Sequence, residues 1–275
     1  GEIEVSSNRP IGILDSGFGG LSVARAIRAA IPNEDLVFAA DCAYAPYGDN
    51  SSEYIQARLE HVVSFLLAQQ VKALVFACNT ATAVGIRAFR ARLSMPIIGI
   101  EPAVFPALRH TRTGHIGVLA TCRTIESQKY ADVRHRAIEW AEVSRPMPVT
   151  VWDVPCPGLM ECVERGDFDS ANVHELLVRY VDPLTAHNVD EIVLGCTHYP
   201  FLANAIAKHA PKATLIDPAP AVAQQLERRL AALDLATPQT APGTERFFAS
   251  GADAAREAVL RTLWSDPRVR LYEMD

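Results

Sequence analysis

Short apolar runs of strand length alternate with helix-periodic stretches along nearly the whole chain, and the alternation occurs twice over. The pattern predicts strands at 11–15, 36–40, 73–77 and 97–100, with helices at 21–31, 52–69 and 82–92 between them. A second series has strands at 116–120, 149–154, 191–195 and 214–216, with helices from 124, over 171–187 and over 201–210. Parallel strands need long crossovers, so this order calls for parallel sheets clothed by helices on both faces. The 171–187 helix carries Val173, Leu176, Leu177, Tyr180, Val181 and Leu184 on one face, and Pro183 is expected to kink it. The tail adds a helix from 219, a strand at 246–249, a helix from 253 and a last strand near 269–272, with a surface loop at 236–244.

The two series echo each other residue by residue. Val75-Phe76-Ala77-Cys78-Asn79-Thr80-Ala81 resembles Val193-Leu194-Gly195-Cys196-Thr197-His198-Tyr199. Ile11-Gly12-Ile13-Leu14-Asp15-Ser16 resembles Ile116-Gly117-Val118-Leu119-Ala120-Thr121, and Ile100-Glu101-Pro102-Ala103 resembles Ile216-Asp217-Pro218-Ala219. Three echoes in one order, at similar offsets, indicate two related halves rather than a short-period repeat. The expected fold is therefore α/β: two pseudo-symmetric doubly wound domains with mostly parallel sheets and the active site in the cleft between them. The chain crosses near 101 and again near 217, which gives a discontinuous first domain, 1–101 plus 217–275, and a second, 102–216.

Composition excludes several classes. With 49% apolar residues and a formal charge of −6, the chain is neither disordered nor built around a basic stripe. Nucleic acid is disfavoured as the main ligand. No apolar stretch reaches the length of a membrane span, and no secretory signal opens the sequence. It starts at Gly1 rather than Met, as a trimmed chain would, and the residues ahead of Ile11 are too few for an added regulatory module. Six cysteines form no CxxC pair, and the Cys156–Cys162 spacing fits no common zinc signature, so no metal is expected. Free thiols in a reducing cytoplasm are the simplest account. Lysine occurs only at 72, 129, 208 and 212, none in an obvious cofactor motif, which makes a Schiff-base enzyme a weak option. Oligomeric state is not legible, and a homodimer stays open.

Cys78 and Cys196 each close a buried strand and are followed at once by small polar residues. A free cysteine is usually a core residue, the reading given to Cys42, Cys122, Cys156 and Cys162. The polar sequel sets Cys78 and Cys196 apart. In open α/β sheets ligands bind beyond the carboxyl ends of strands, where both thiols fall. Asp15-Ser16-Gly17-Phe18-Gly19-Gly20 mimics a dinucleotide fingerprint, with Asp41 at a plausible ribose distance. The imitation fails because Ser22 stands where the third glycine belongs and Asp15 would repel a phosphate. A glycine turn for tight packing is the plain alternative. Asn79, Thr80 and Thr197 could cap helices or hold a substrate carboxylate with the free N–H groups there. His198 could support a thiolate at Cys196, since a free thiol with a pKa around 8.5 needs help to act as a base at neutral pH; Asp15 could receive or orient a proton. A hydrolase using Cys196 and His198 would leave the second thiol idle. Two opposed thiols fit cofactor-free racemisation better: one removes the α-proton and the other protonates the opposite face.

The sequence resembles glutamate racemase, of the cofactor-independent aspartate/glutamate racemase family. The resemblance rests on Asp15-Ser16-Gly17-x-Gly19-Gly20, Pro46-Tyr47-Gly48, Cys78-Asn79-Thr80-Ala81, Gly117-Val118-Leu119-Ala120-Thr121-x-x-Thr124 and Gly195-Cys196-Thr197-His198-Tyr199-Pro200. It extends from Ile11 to the region of Phe247-Phe248. It implies interconversion of L- and D-glutamate without a cofactor, supplying D-glutamate for peptidoglycan in the cytoplasm. By it, Cys78 would act on the D-enantiomer and Cys196 on the L-enantiomer, assisted by Asp15 and His198 respectively. Asn79, Thr80 and Thr197 would hold the α-carboxylate end, and Ser16, Tyr47 and Gly48 the side-chain carboxylate. Thr121 and Thr124 would line the second half of the pocket. Glu164, in Val163-Glu164-Arg165-Gly166 after Cys156-Pro157, is the implied auxiliary acid. Here the chain departs from the family, with Glu161 and Cys162 where Pro and an aliphatic residue are usual. Another acidic substrate such as aspartate is the close alternative, and a binding protein that kept the fold, or a second role such as gyrase inhibition, the distant one.

Overall fold

The computed structural model describes residues 7–275; the first six residues, where the sequence opens at Gly1, lie outside the described residues. In chain order the elements are β1 (Ile11–Asp15), α1 (Leu21–Ala30), β2 (Leu36–Ala40), α2 (Ser52–Ala68), β3 (Ala73–Phe76), α3 (Asn79–Arg92), β4 (Ile97–Gly99) and α4 (Val104–His110). Then come β5 (His115–Ala120), α5 (Cys122–Glu126), α6 (Gln128–Ser144), β6 (Thr150–Pro155), α7 (Leu159–Glu164), α8 (Ala171–Tyr180), α9 (Asp182–Ala186), β7 (Glu191–Leu194), α10 (Ala203–His209) and β8 (Thr214–Ile216). The last are α11 (Ala219–Ala232), β9 (Glu245–Ala249), α12 (Ala254–Trp264) and β10 (Leu271–Glu273).

Every strand pairing is parallel. One sheet has the order β10-β9-β2-β1-β3-β4, the other β6-β5-β7-β8. The order β2-β1-β3-β4 is reproduced by β6-β5-β7-β8, so the sequence echo is an echo of topology. β1, β2, β3 and β7 are buried throughout because helices cover both faces of the sheets. In each sheet the chain leaves a central strand to one side and returns to the other, and this switch point opens a crevice at the carboxyl ends. Asp15 and Cys78 flank it in the first sheet, Thr121 and Cys196 in the second.

Several boundaries differ from the sequence expectation. The helix expected over 171–187 is two helices with a break at Val181, two residues before Pro183, whose ring fits the first turn of α9. The helix expected from 124 is also two: Thr121 caps α5, and Ser127, taking the Tyr130 N–H at 3.1 Å, starts α6 afresh. The chain after Cys196 passes through a 3-10 turn, Tyr199–Leu202, before α10. α4 and α7 were not expected. The final strand is Leu271–Glu273, shifted from 269–272. Cys42, Cys156 and Cys162 are buried as expected, but Cys122 is half-buried because it opens α5 at the surface.

No helix of the described residues is long and apolar enough to cross a membrane.

Candidate active site

The first half supplies Asp15, Ser16, Cys78, Asn79 and Thr80. Asp15 ends β1 and is buried. Its Oδ1 takes the Ser16 N–H at 2.7 Å and its Oδ2 the Gly20 N–H at 2.6 Å. Burial drives its pKa up to about 6, helped by the charge of Glu164, while His198 and the two N–H groups pull it down. The carboxylate thus occupies the turn that a phosphate would need, which disposes of the dinucleotide reading. Asp41, the would-be ribose ligand, is fully committed elsewhere. Arg58 holds it with two bonds of 2.8 and 2.9 Å, and Ser250 and Tyr47 donate to it at 2.8 and 2.6 Å. Tyr47, expected at the substrate, has therefore given its hydroxyl to Asp41.

Cys78, 5% exposed, is the N-cap of α3, and its sulfur accepts the Ala81 N–H at 3.3 Å. It donates to Ser16 Oγ at 3.8 Å. Burial first, and then the charges of Asp15 and of Cys196, push the Cys78 thiol well up from its ordinary value, so it holds its proton in this closed arrangement. Asn79 is buried with both amide atoms lacking a hydrogen-bond partner. Such a group costs free energy unless a ligand satisfies it.

The second half supplies Thr121, Thr124, Glu164, Cys196, Thr197 and His198. Cys196 is 6% exposed, and its sulfur lies 3.6 Å from Nδ1 of the buried His198. The far ring nitrogen, Nε2, lies 3.2 Å from Glu164 Oε2. Burial opposes charging this ring. The Cys196 sulfur and the Glu164 carboxylate outweigh it and hold His198 well above the ordinary histidine value. The Gly19 N–H also points at Nε2, at 3.2 Å, and can donate only to a bare nitrogen. A charged ring gives that contact up in favour of Glu164.

The glycine turn explains how the halves meet. A Cβ on Gly17 would strike the Glu164 carboxylate, and one on Gly19 would strike the His198 ring. The glycines make room for side chains of the other half, not for a phosphate. The Phe18 N–H donates to Glu164 Oε2 at 2.9 Å. Ser22 Oγ lies within hydrogen-bond reach of the carbonyls of Gly19 (2.9 Å) and Thr197 (3.0 Å), which is why a hydroxyl stands where a dinucleotide fold has its third glycine. On the other flank the hydroxyls of Thr80, Thr121 and Thr124 form a triangle with sides of 2.7, 3.1 and 3.2 Å. The Gly48 carbonyl accepts the Arg123 N–H at 3.3 Å.

The expected site residues thus come together across the crevice, with Tyr47 turned to Asp41. Sequence reasoning missed three contributors: the Arg58–Asp41–Ser250 anchor, Ser22 as a bridge, and Cys42, whose thiol points at Glu164 Oε1 over 3.9 Å. Only Ser22 carried a signal, as the misfit in the glycine pattern. Three cavities touch the site: two of about 10 Å³, one bounded by Gly48, Thr121, Cys156 and Glu161 and the other by Asn79 and Thr124, and one of 260 Å³ bounded by Phe18, Cys42, Glu161 and Glu164. A cavity of 710 Å³ between Arg90, Glu101, Lys129 and Asp217 is lined by neither thiol.

Comparison with known proteins places the chain in a family. The Asp/Glu/Hydantoin racemase family matches residues 19–226. The glutamate racemase of Ectopseudomonas mendocina is 46% identical over 259 residues, 94% of this chain and 95% of that protein. The crystal structure of glutamate racemase isoform RacE1 from Bacillus anthracis superposes with a TM-score of 0.81 at 33% identity, covering 96% of both chains. The glutamate racemase of Francisella tularensis, solved with D-glutamate, gives a TM-score of 0.81 at 29% identity over 96% of this chain and 97% of that one. The chain belongs to the Asp/Glu/Hydantoin racemase family of isomerases and, within it, to the glutamate racemases.

Proposed function

We propose that this protein interconverts L- and D-glutamate by direct proton transfer between two thiols, with no cofactor. The observation that carries the reading is the pairing of Cys78 and Cys196. They follow equivalent strands, β3 and β7, of two sheets with the same strand order, and both are buried where the halves meet. One thiolate takes the α-proton while the other thiol gives its proton to the opposite face. The substrate loses one hydrogen and gains one; the enzyme ends with thiol and thiolate exchanged. The two sides are chemically unequal at rest. Cys78 is a protonated acid, and Cys196 faces the His198 ring across 3.6 Å. By the family resemblance, Cys196 would take the α-hydrogen of L-glutamate and Cys78 that of D-glutamate.

The remaining residues fit the ends of an amino dicarboxylate. Asn79, Thr80 and Thr197 would hold the α-carboxylate at the N-terminus of α3, where free N–H groups and the helix dipole favour an anion. Ser16, with the backbone of Tyr47 and Gly48, would hold the side-chain carboxylate. Thr121 and Thr124 would close the second half, and Asp15 and Glu164 would position the protons at Cys78 and His198. The cavities beside the site are lined by neither Cys78 nor Cys196, so glutamate would reach the thiols by the halves parting. The moving units would be 1–101 plus 217–275 and 102–216. The D-glutamate formed would feed peptidoglycan synthesis in the cytoplasm.

The test is circular dichroism of L-glutamate, and separately D-glutamate, with reduced protein and no added cofactor. Decay of the signal to zero from both hands is expected. Cys78→Ala and Cys196→Ala should each abolish the decay while keeping the far-ultraviolet spectrum of the folded protein. Turnover retained in either variant overturns the two-thiol mechanism, and stable signals with wild-type protein overturn glutamate as the substrate.

A further inference from the structure

Away from the thiols, four side chains of the second half form one line. Asp169 Oδ1 lies 2.6 Å from His174 Nε2, His174 Nδ1 lies 2.9 Å from His209 Nε2, and His209 Nδ1 lies 2.8 Å from Asp182 Oδ1. His174 sits on α8, His209 ends α10 and Asp182 opens α9. A carboxylate only accepts, so each ring must turn an N–H towards its aspartate. In a neutral imidazole the other nitrogen is then a bare lone pair. The ring centroids are 5.2 Å apart, a separation that brings the rings together nitrogen to nitrogen. Two lone pairs cannot face each other at that distance unless a positive charge lies between them, either a proton or a metal ion.

We propose that His174 Nδ1 and His209 Nε2 are a binding seat for a divalent transition-metal ion of the zinc type. The arrangement on each side is a carboxylate holding the far nitrogen of a ligating histidine, which fixes the tautomer and raises the basicity of the ligand. Nitrogen ligands of this kind suit zinc, cobalt and nickel. Metal–nitrogen bonds of about 2.0–2.1 Å exceed half the present nitrogen separation. The ion therefore sits off the line between the nitrogens, and they part by a few tenths of an ångström. The rings have room for this, since the His174 side chain is 29% exposed and that of His209 14%. Among the described residues no group of three or more histidine, cysteine, aspartate or glutamate side chains converges on a metal position. The seat is thus a two-nitrogen one completed by water. Lys208, with Nζ 3.5 Å from Asp169, is a competing cation at its rim. Binding exchanges the shared proton for the metal ion, the proton passes to solvent, and no electron changes hands. A bound ion would tie α8 to α10, and through Asp182 to α9.

Cobalt(II) is the probe, because imidazole and thiolate ligands give different spectra. The full-length reduced protein is titrated at neutral pH in a weakly coordinating buffer, then compared with His174→Gln and His209→Gln. The expected result is saturable binding without sulfur-to-metal charge-transfer bands and with release of about one proton per ion. Each substitution should weaken it roughly tenfold or more. Zinc should raise the melting temperature of the wild type and leave both variants unmoved, and metal-free racemisation should be unchanged in all three. Absence of binding in the wild type overturns the proposal, as does binding that carries thiolate bands or persists in both folded variants.

Discussion

Glu164 and Phe18 are 146 positions apart, yet the Phe18 N–H donates to the Glu164 carboxylate at 2.9 Å. The same oxygen lies 3.2 Å from His198, so one carboxylate both joins the halves and supports the charged ring beside Cys196. Glu164→Gln keeps the shape and removes the charge. A hydrogen bond to a charged group contributes about 1.5–3 kcal/mol, so kcat/KM should fall by roughly tenfold to a hundredfold. Mirror-image substrates have an equilibrium constant of one in water, so the fall must be the same in both directions. Steady-state kinetics from L- and D-glutamate checks this, and unchanged kcat/KM would remove Glu164 from the proton machinery.

Gly19→Ala tests the close approach of the halves. The added methyl would strike the buried His198 ring, and neither the ring nor the turn has free space to retreat into. Overpacking of this kind costs about 1–3 kcal/mol, a melting temperature lower by roughly 2–12 °C for a chain of this size. A thermal melt decides it; an unmoved midpoint would mean that the ring is loosely held.

Asn79→Ala separates binding from folding. The Asn79 amide satisfies no protein group, so its removal should leave thermal stability unchanged or slightly higher. The substrate loses a partner, and KM should rise by about tenfold, the equivalent of about 1.4 kcal/mol. A stability loss with unchanged KM would make Asn79 a structural residue.

Asp15 makes stability depend on pH. Its folded value of about 6 lies above the unfolded value of 3.8, so the folded protein holds a proton that the unfolded chain has already released. The stabilisation from the protonated form is complete below about pH 4 and is lost as pH rises through about 6. At neutral pH the lost contribution is on the order of 3 kcal/mol for this buried group. Urea unfolding of wild type and Asp15→Asn across pH 4 to 7 should show a downward slope with rising pH that is shallower in the variant. Parallel curves would place the transition elsewhere.

What the sequence made legible follows from burial. β1 and β2 fall where the apolar runs placed them, because strands covered on both faces are written as unbroken apolar segments. The start of α3 was set three residues too late. Its cap is the sulfur of Cys78, a group that capping preferences do not credit. α4 was hidden by Pro106 within it, and α7 by its shortness. The thiols, Asp15 and His198 stood out through the repeat and the glycine turn. The partner of the Tyr47 hydroxyl, Asp41, was not legible, because Arg58 and Ser250 fix that carboxylate from distant positions and such pairing leaves no periodic trace.

The position of β9 between β2 and β10 has a consequence for how the molecule is made. A chain emerging from the ribosome completes β2 long before its outer neighbour exists. Until residues 245–249 appear, β2 presents a bare edge, the kind of surface that pairs with foreign strands. Asp41 likewise waits for Ser250. The second sheet, encoded without interruption, has its last strand at 214–216, before β9 begins at 245. Between those points the nascent enzyme carries one finished half and one open half, and a premature stop before β9 leaves a product prone to aggregate rather than a merely inactive one.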